Sequence, residues 1–387
     1  MSASVVISKK GAERVRAGHP WIYRSDVAGG DIEPGALVLV KSERGRPLGW
    51  ALFSSTSQIA LRMVSSDANV NDATMWYERI AAAIAYRDSL NIDATARRLV
   101  HGEADRLPAL IVDQYGDVLV VQTLCQGIDR RRDMVVAALV DQLKPRGILA
   151  RNDPKVRRLE GLDESIEVLH GDVPDVVRVR EGEIFHEVDL RNGQKTGLFL
   201  DQRENHLAAA TIARGKALDA FSYHGGFALQ MAKHCDRVIA LDVSEPAVAV
   251  IAAGARANQL ANVETRVVNV FDELREFNIA NERFDTIVLD PPAFAKNKAS
   301  IPGAMAGYKE INLRAMKLLK PGGYLMTCSC SYNISDAMFL DVIHDAARDA
   351  RVEMTLVERR LQSRDHPVLL GVPETSYLKC LVLRKIA

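Results

Sequence analysis

The sequence has few cysteines and no long apolar run, and both absences exclude classes of protein. Its 387 residues include five cysteines, which are scattered along the chain and odd in number. This usage argues against a disulfide framework and predicts a reducing compartment. No stretch approaches the ~20 consecutive apolar residues of a membrane helix, and the N-terminal residues lack the apolar core of a secretory signal. We therefore expect a cytoplasmic protein that is not embedded in a membrane.

Charge of one sign is not in excess either. Lys and Arg total 50, Asp and Glu total 50, and the formal net charge is therefore zero. A strongly basic chain would indicate nucleic acid as a partner, whereas here any contact with RNA must depend on local clusters. One such cluster is formed by Lys9, Lys10, Arg14 and Arg16. Clusters of this kind are more often solvated surface than binding site, so the composition alone leaves the partner open.

The order of the predicted elements indicates three domains. Residues 1–70 consist of short strands broken by turns, which is typical of a small β-barrel. Residues 71–183 combine helices and strands in a compact α+β pattern. Residues 184–387 begin with a hairpin that turns at Asn192–Gly193, and they continue with apolar strands that alternate with helices. This alternation predicts an α/β fold, a Rossmann-like doubly wound parallel sheet.

Residues 72–91 have the spacing of an amphipathic helix. Asp72 is placed to cap the amino end of this helix. The residues that share one predicted face are Trp76, Ile80, Ala83, Ile84 and Arg87. We expect this face to be buried.

Three strand ends in the C-terminal region indicate a site for an adenosine-containing cofactor. Gly225 and Gly226 follow the first strand, where glycine lets the backbone approach a ligand closely. This pair is not the G-x-G-x-x-G of a dinucleotide fold, and alone it is equally consistent with an ordinary tight turn. Asp242 ends the next strand, where a carboxylate can accept both ribose hydroxyls, although it can also cap the helix that follows. Asn269 ends the third strand and is placed to meet the adenine edge.

The tip of the fourth strand separates S-adenosylmethionine from NAD as the cofactor. The run Asp-Pro-Pro-Ala-Phe occupies positions 290–294, and its two prolines turn the chain sharply away from helix. They hold Asp290 over the reactive end of the cofactor, a pattern typical of methyltransferases that act on planar nitrogen or carbon atoms of bases. The alternative interpretation is a simple turn that ends the strand.

The fifth strand ends in a thiol-bearing segment that supplies a nucleophile. Alternation places Cys328 and Cys330 on the same face, but Cys330 lies nearer the carboxyl end, where ligands bind in such sheets. A thiolate that adds to carbon 6 of cytosine makes carbon 5 nucleophilic toward a methyl donor, with Asp290 hydrogen-bonded to the pyrimidine. No second Cys/His pair has zinc spacing, so no metal site is expected. Amino-directed enzymes carry an aromatic residue directly after the second proline, whereas this chain has Ala293 there and Phe294 one position later.

Together these residues resemble the PUA-domain ribosomal RNA large-subunit methyltransferases of bacteria and archaea that make 5-methylcytosine. The resemblance extends over nearly the whole chain, in the stretches His19–Trp21, Gly102–Pro108, Lys195–Arg203, Phe221–Phe227, Asp290–Pro292, a turn at Gly307–Lys309, Ser329–Ser331 and Asp365–Pro367. It implies an N-terminal PUA domain for RNA, 23S ribosomal RNA as the partner, S-adenosylmethionine as the cofactor and Cys330 as the nucleophile. It also implies cofactor contacts from Gln202, Arg203, Phe221, Ser222 and Tyr223, beside Gly225, Asp242, Asn269 and Asp290.

The sequence departs from this family's pattern at two positions. Ala293 stands where a basic residue is common, and where other cytosine-5 RNA methyltransferases carry a second cysteine that acts in product release. The base that removes the carbon-5 proton is therefore unassigned. Asn269 stands where an acid is frequent, although an amide can still contact adenine. Two other functions remain open: an amino-methyltransferase that acts on a base or a protein glutamine, and a non-catalytic RNA-binding assembly factor. The sequence also leaves open whether the protein forms a homodimer.

Overall fold

A computed structural model describes residues 3–67, 69–193, 196–295 and 297–386. Lys195, the first residue of one stretch in the resemblance, lies outside these ranges. The chain forms two compact units, and neither is continuous in sequence. The first unit contains residues 1–179, 187–200 and 364–375, and the second contains residues 180–186, 201–363 and 376–387. The chain therefore passes more than once from one unit to the other, and the three-domain division stays a prediction.

The first sheet of the first unit has five short strands, as the sequence predicts for this region. Its strands are β1 (Ser4–Ile7), β2 (Trp21–Tyr23), β3 (Leu37–Ser42), β4 (Pro47–Phe53) and β5 (Ile59–Ser65), in the order β1-β3-β4-β5-β2. β1 runs parallel to β3, and the other pairs are antiparallel. A helix that the strand pattern did not predict, α1 (Lys9–Arg16), begins after the cap Ser8, whose hydroxyl accepts the Gly11 N–H.

The second sheet of the first unit also has five strands and is packed with helices. Its elements are α2 (Asp72–Ser89), β6 (Ala96–His101), β7 (Leu110–Tyr115), β8 (Val118–Thr123), α3 (Gln126–Asp129), α4 (Arg132–Leu143), β9 (Gly147–Asn152) and β10 (Ser165–Gly171), with strand order β10-β9-β8-β7-β6. All five residues predicted for the inner face of α2 are buried. The predicted cap is wrong by one residue, because the side chain of Asn71 accepts the Thr74 N–H and Asp72 instead accepts the indole N–H of Trp76.

The hairpin predicted for residues 184–200 lies earlier in the chain. Its strands are β11 (Val176–Glu181) and β12 (Ile184–Asp189), and they turn at Gly182, which has a φ of 54°. Asn192 follows the second strand, where the Asp189 carboxylate accepts the backbone N–H groups of Arg191 and Asn192. The Asn-Gly pair is thus part of an Asx turn, which uses the same residue types as a hairpin turn.

The second unit is built around a seven-stranded sheet. Its elements are α5 (Arg203–Ile212), β13 (Lys216–Ala220), α6 (Gly226–Ala232), β14 (Arg237–Asp242), α7 (Glu245–Ala257), β15 (Val263–Val267), α8 (Val270–Ile279), β16 (Phe284–Leu289), α9 (Ile301–Leu318), β17 (Leu319–Ser329), α10 (Asp336–Ala350), β18 (Met354–Arg360) and β19 (Lys379–Lys385). The strand order is β15-β14-β13-β16-β17-β19-β18. The first five strands are parallel, and β19 joins β17 and β18 antiparallel. This confirms the predicted α/β fold.

Apolar side chains cover both faces of this sheet, which explains why its strands are almost continuously hydrophobic. On β13, for example, Leu218 packs in one core cluster and Ala217 in the other. The predicted turn at Gly307–Lys309 is wrong, because these residues lie inside α9. Glycine is tolerated at position 307 inside this helix because the absence of a side chain leaves room for the Phe294 ring. The carboxyl ends of the five parallel strands share one edge of the sheet, which is where the predicted site residues lie.

Candidate active site

The loop after β13 has an unusual backbone conformation. Phe221, Tyr223 and Gly225 have φ values of 66°, 49° and 84°, a left-handed region that residues other than glycine rarely adopt. Ser222 lies between the first two and is buried. Its hydroxyl donates to the Asp219 carbonyl at 2.8 Å and accepts the Leu241 N–H at 3.1 Å, so it ties the loop to β14. Clustered backbone strain of this kind is typical of ligand-binding segments.

The two glycines of this loop meet different requirements. Gly225 is left-handed and precedes α6 directly. Gly226 has an ordinary helical backbone, but a Cβ atom there would collide with the imidazole ring of His206. The second glycine is therefore needed for packing against a buried histidine, a reason that the sequence did not show.

Asp242 lies beside this loop at the end of β14. One carboxylate oxygen accepts the Tyr223 N–H and the other accepts the Ser244 N–H, both at 2.9 Å. The cap of α7 is Ser244 and not Asp242, so the capping interpretation of Asp242 is wrong. Asn269 caps α8 through its side-chain oxygen, which accepts the Phe271 N–H at 2.9 Å. Val268 donates its N–H to the Asp242 carbonyl, so the predicted ribose and adenine residues are neighbours.

Asp219, at the end of β13, is a fully buried carboxyl group. One oxygen accepts the Ala228 N–H at 3.0 Å, and within the described residues the other has no hydrogen-bond partner. Burial, with the nearby charge of Asp290, raises the pKa of Asp219 from 3.8 to about 7. A buried acceptor without a donor is costly, so this oxygen indicates that a ligand group belongs at this edge.

A buried ion pair lies behind the glycine loop. His206 Nδ1 and Glu181 Oε1 are 2.8 Å apart. Burial alone would lower the pKa of His206, but Glu181, Asp290 and Asp219 outweigh it and the pKa is raised. Arg203, a predicted cofactor contact, is itself buried and lies near the Glu181 and Glu204 carboxylates. The sequence shows no sign of this cluster, because Glu181 lies on β11 whereas Arg203, Glu204 and His206 lie on α5.

The predicted catalytic residues meet at the tips of β16 and β17. Gln202 Nε2 donates to Asp290 Oδ1 at 2.9 Å, and the Cys330 thiol lies 3.9 Å from the Pro291 carbonyl oxygen. Cys330 is partly exposed, whereas Cys328 is completely buried. Burial and the adjacent Cys380 thiol raise the pKa of Cys328 well above that of an ordinary thiol. Exposure therefore favours Cys330 as the nucleophile, as its position in the strand predicts.

A buried hydroxyl group supports the segment that carries Cys330. The Tyr308 hydroxyl lies 2.9 Å from Ser329 Oγ and 2.9 Å from Ser331 Oγ, the residues on either side of Cys330. Ser331 Oγ also accepts the Ala295 N–H at 3.2 Å. α9 therefore fixes the thiol segment and the end of the Asp-Pro-Pro loop through one network. Tyr308 belongs to the Gly307–Lys309 stretch of the resemblance. The sequence predicts a turn there, and a turn gives Tyr308 no such supporting role.

Two family models match the chain. A PUA-like domain matches residues 5–66, and an S-adenosylmethionine-dependent methyltransferase matches residues 97–384. A "Ribosomal RNA large subunit methyltransferase I" of Tolumonas auensis is 38% identical over 100% of both chains. A protein of the same name from Shewanella frigidimarina is 40% identical over 97% of this chain and 98% of its own.

The chain belongs to the S-adenosylmethionine-dependent methyltransferase family. The fold agrees: a crystal structure of SMU.776 complexed with SAH aligns over 99% of this chain and 100% of its own with a TM-score of 0.85, at 21% identity.

The residues of the methyltransferase fit its cofactor, S-adenosylmethionine. The unpartnered oxygen of Asp219 suits a donor such as the amino group of the methionine moiety, and the Asp242 carboxylate lies beside the glycine loop. In the described ranges no three His, Cys, Asp or Glu side chains are arranged to hold a metal ion. Among the same residues, no helix is both long and apolar enough to span a bilayer.

Proposed function

We propose that this methyltransferase modifies carbon 5 of a cytosine in 23S ribosomal RNA through a covalent bond to Cys330. The observation that carries the proposal is the partly exposed Cys330 thiol, held 3.9 Å from the Pro291 carbonyl oxygen beside Asp290. Relatives named for the large ribosomal RNA subunit, which align over their full length, support the RNA substrate. We further propose that the reaction takes place in the cytoplasm and that the PUA-like domain holds the RNA.

The role of Cys330 follows from the poor nucleophilicity of carbon 5. The thiolate attacks carbon 6, a carbon–sulfur bond forms, and the electron pair of the 5,6 double bond moves to carbon 5. Carbon 5 then takes the methyl group that bound S-adenosylmethionine would supply, as the bond between that methyl group and the cofactor's sulfur breaks. Loss of the carbon-5 proton restores the double bond and breaks the bond to Cys330, which leaves as the thiolate.

Asp290 holds the pyrimidine while it carries this charge. In its protonated form the carboxyl group donates to N3 and accepts from the exocyclic amine. Gln202 donates to one Asp290 oxygen and accepts from Asn205, which fixes the orientation of the carboxyl group. Gln202 is thus a positioning residue in this proposal. The cofactor contacts proposed from the sequence are Gln202, Arg203, Phe221, Ser222, Tyr223, Gly225, Asp242, Asn269 and Asp290.

The decisive experiment is methyl transfer from labelled S-adenosylmethionine to 23S ribosomal RNA that lacks the modification. We expect label in 5-methylcytosine with the wild type and at least a thousandfold loss in Cys330→Ala. Cys328→Ala is the matched control, because this buried thiol shares the strand but not the exposure. We expect it to keep most of the activity.

RNA containing 5-fluorocytosine provides a second readout. Fluorine cannot leave as the proton does, so the covalent bond to Cys330 should persist and be lost in Cys330→Ala. Label on an exocyclic amine, or activity that survives Cys330→Ala, would contradict the proposal in favour of amine methylation. If no methyl group is transferred to any RNA, the result would favour the non-catalytic RNA-binding assembly factor.

A further inference from the structure

Lys379, the first residue of β19, lies directly behind the Cys330 segment. It is opposite Ser329 in the register of β17 and β19 and is only 7% exposed. Its ammonium group donates to the carbonyl oxygens of Ser331 at 2.8 Å, Ile334 at 2.9 Å and Tyr377 at 2.9 Å. Two of these three acceptors belong to the turn that follows Cys330. The three N–H bonds of the ammonium group are therefore all used by backbone carbonyls.

The positive charge of Lys379 has no carboxylate directly paired with it in the described part of the chain. Burial lowers the pKa of Lys379, while the charges of Asp336 and Cys330 oppose this effect. A buried ammonium group is costly unless an opposite charge compensates it. A thiolate at Cys330 would be such a charge.

We propose that Lys379 is a positioning residue for Cys330 and stabilises its thiolate: its hydrogen bonds fix the turn that carries the thiol, and its charge favours the anion that attacks the base. The thiol loses its proton to solvent, and the electron pair that stays on sulfur forms the bond to carbon 6. This inference rests on the proposed function, because it takes Cys330 as the nucleophile.

Other titratable groups face this thiol from the surrounding elements. Asp290 follows β16, and Asp336, whose charge lies near Lys379, begins α10. Either carboxyl group opposes a thiolate when it is ionised. The Tyr308 hydroxyl on α9 is held by the serines on either side of Cys330. The remaining groups are the Cys328 thiol on the same strand and the Cys380 thiol on β19. Among the described groups named here, Lys379 is the one that would contribute positive charge.

The chain provides a matched control at the other end of the same strand. Lys385 is 8% exposed, and its ammonium group donates to the carbonyls of Met316 at 3.1 Å and Leu319 at 2.9 Å. Lys385 therefore satisfies carbonyl groups as Lys379 does, but it lies away from the thiol. Its replacement should reproduce the structural effect of losing a buried lysine without the effect on Cys330.

The test is the pH dependence of alkylation of Cys330 by iodoacetamide in the full chain, followed by mass spectrometry of the Cys330 peptide. We expect the alkylation midpoint of Lys379→Met to move to higher pH and its rate at pH 7 to fall about tenfold, the effect of about one pKa unit. Lys379→Arg, which keeps the charge, should recover most of the rate. Lys385→Met should leave the midpoint unchanged, although both methionine variants lower the unfolding midpoint.

A further variant covers the possibility that Lys379→Met does not fold. Asp336→Asn removes an exposed carboxylate that faces Lys379 and leaves the hydrogen bonds of the lysine intact. Its alkylation midpoint should therefore move to lower pH, and its alkylation rate at pH 7 should rise about twofold. The inference would be overturned by an unchanged alkylation midpoint in Lys379→Met or by an equal shift in Lys385→Met. If Lys379→Met does not fold, the absence of a shift in Asp336→Asn would overturn it. Methyl transfer that survives in Cys330→Ala would instead refute the nucleophile, whatever the alkylation result.

Discussion

The ionisable groups of the site have pKa values that depend mainly on burial. Burial favours the neutral form of an acid, so the carboxyl group of Asp219 and the thiol of Cys328 both titrate above their ordinary range. Glu181 is equally buried, but the charge of His206 outweighs burial and lowers its pKa. Two carboxylates in one site therefore differ in charge near neutral pH because one has a cationic partner.

Asp219 should make the stability of the protein depend on pH. Its pKa rises from 3.8 to about 7 on folding, so the folded protein keeps a proton that the unfolded chain has lost. As far as Asp219 is concerned, the free energy of unfolding is therefore greatest below pH 4. It falls by roughly 2–4 kcal/mol as the pH rises from there through 7. Asp219→Asn should remove this fall, since the amide stays neutral and can still accept the Ala228 N–H.

The measurement is the urea midpoint of the wild type and Asp219→Asn at pH 5, 6, 7 and 8. The variant should have the higher midpoint throughout this range, with the smallest difference at pH 5 and the largest at pH 7 and 8. Parallel pH profiles would contradict the assigned protonation of Asp219.

At the level of elements, the strands and the buried helix faces could be predicted from the sequence, because periodicity reports directly on burial. The inner face of α2, including the buried Arg87, is an example. Short elements and local turns could not be predicted, because one sequence motif is compatible with several conformations. Asn192–Gly193 forms an Asx turn and not a hairpin turn, and α8 went unpredicted although Asn269 caps it.

The candidate site follows from the sequence where single residues end strands, whereas contacts between distant segments do not. Asp242, Asp290 and Cys330 follow from their positions at strand ends. The Tyr308 network and the His206–Glu181 pair depend on packing between elements that no local pattern relates.

The contact between α5 and α6 should depend on the missing side chain of Gly226. Gly226→Ala would force a methyl group into the His206 ring, and overpacking of this kind costs about 1–3 kcal/mol. Gly303→Ala is the control, because the added carbon in α9 meets no described atom within 4 Å beyond its own helix backbone and chain neighbours. It should stabilise by about 0.5–1 kcal/mol.

Urea unfolding of both variants, and of Gly226→Ala combined with His206→Ala, would measure this. The double variant should be less destabilised than the sum of its single changes predicts. Strict additivity would show that the clash with the ring is not the cause.

The start of α8 provides a test of the role of Asn269. Asn269→Ala should lose the cap, at about 1 kcal/mol, and should also raise the KM for S-adenosylmethionine. Asn269→Asp keeps a capping oxygen and restores the acid frequent in the family, so it should retain the stability of the wild type. Both quantities can be measured by thermal unfolding and by methyl transfer. An unchanged KM in a destabilised Asn269→Ala would leave the residue with capping alone.

At the level of the whole molecule, the first unit is completed by segments from late in the chain. Thr196 donates to the buried Asp113 at 2.6 Å, and the Asp365 carbonyl accepts from the fully buried Arg87 at 2.8 Å. A fragment of residues 1–183 would lose both partners, together with four apolar residues of one core cluster, Val188, Leu190, Leu198 and Leu200.

We therefore predict that residues 1–183 do not form a stable unit on their own. The fragment should unfold at a lower temperature than the first transition of the full chain and should exchange the amide hydrogens of β7 and β8 rapidly. Calorimetry and hydrogen exchange would measure both. A fragment as stable as the full chain would favour the contiguous division into domains.

The dependence of Arg87 on Asp365 also has a consequence for the time course of synthesis. The two residues are 278 positions apart, and ribosomes add about 5–20 residues per second. Arg87 is therefore made roughly 15–55 s before its acceptor exists. During that interval Arg87 has Asp105 as its carboxylate partner but lacks the Asp365 carbonyl, so the first unit made is among the last to be finished.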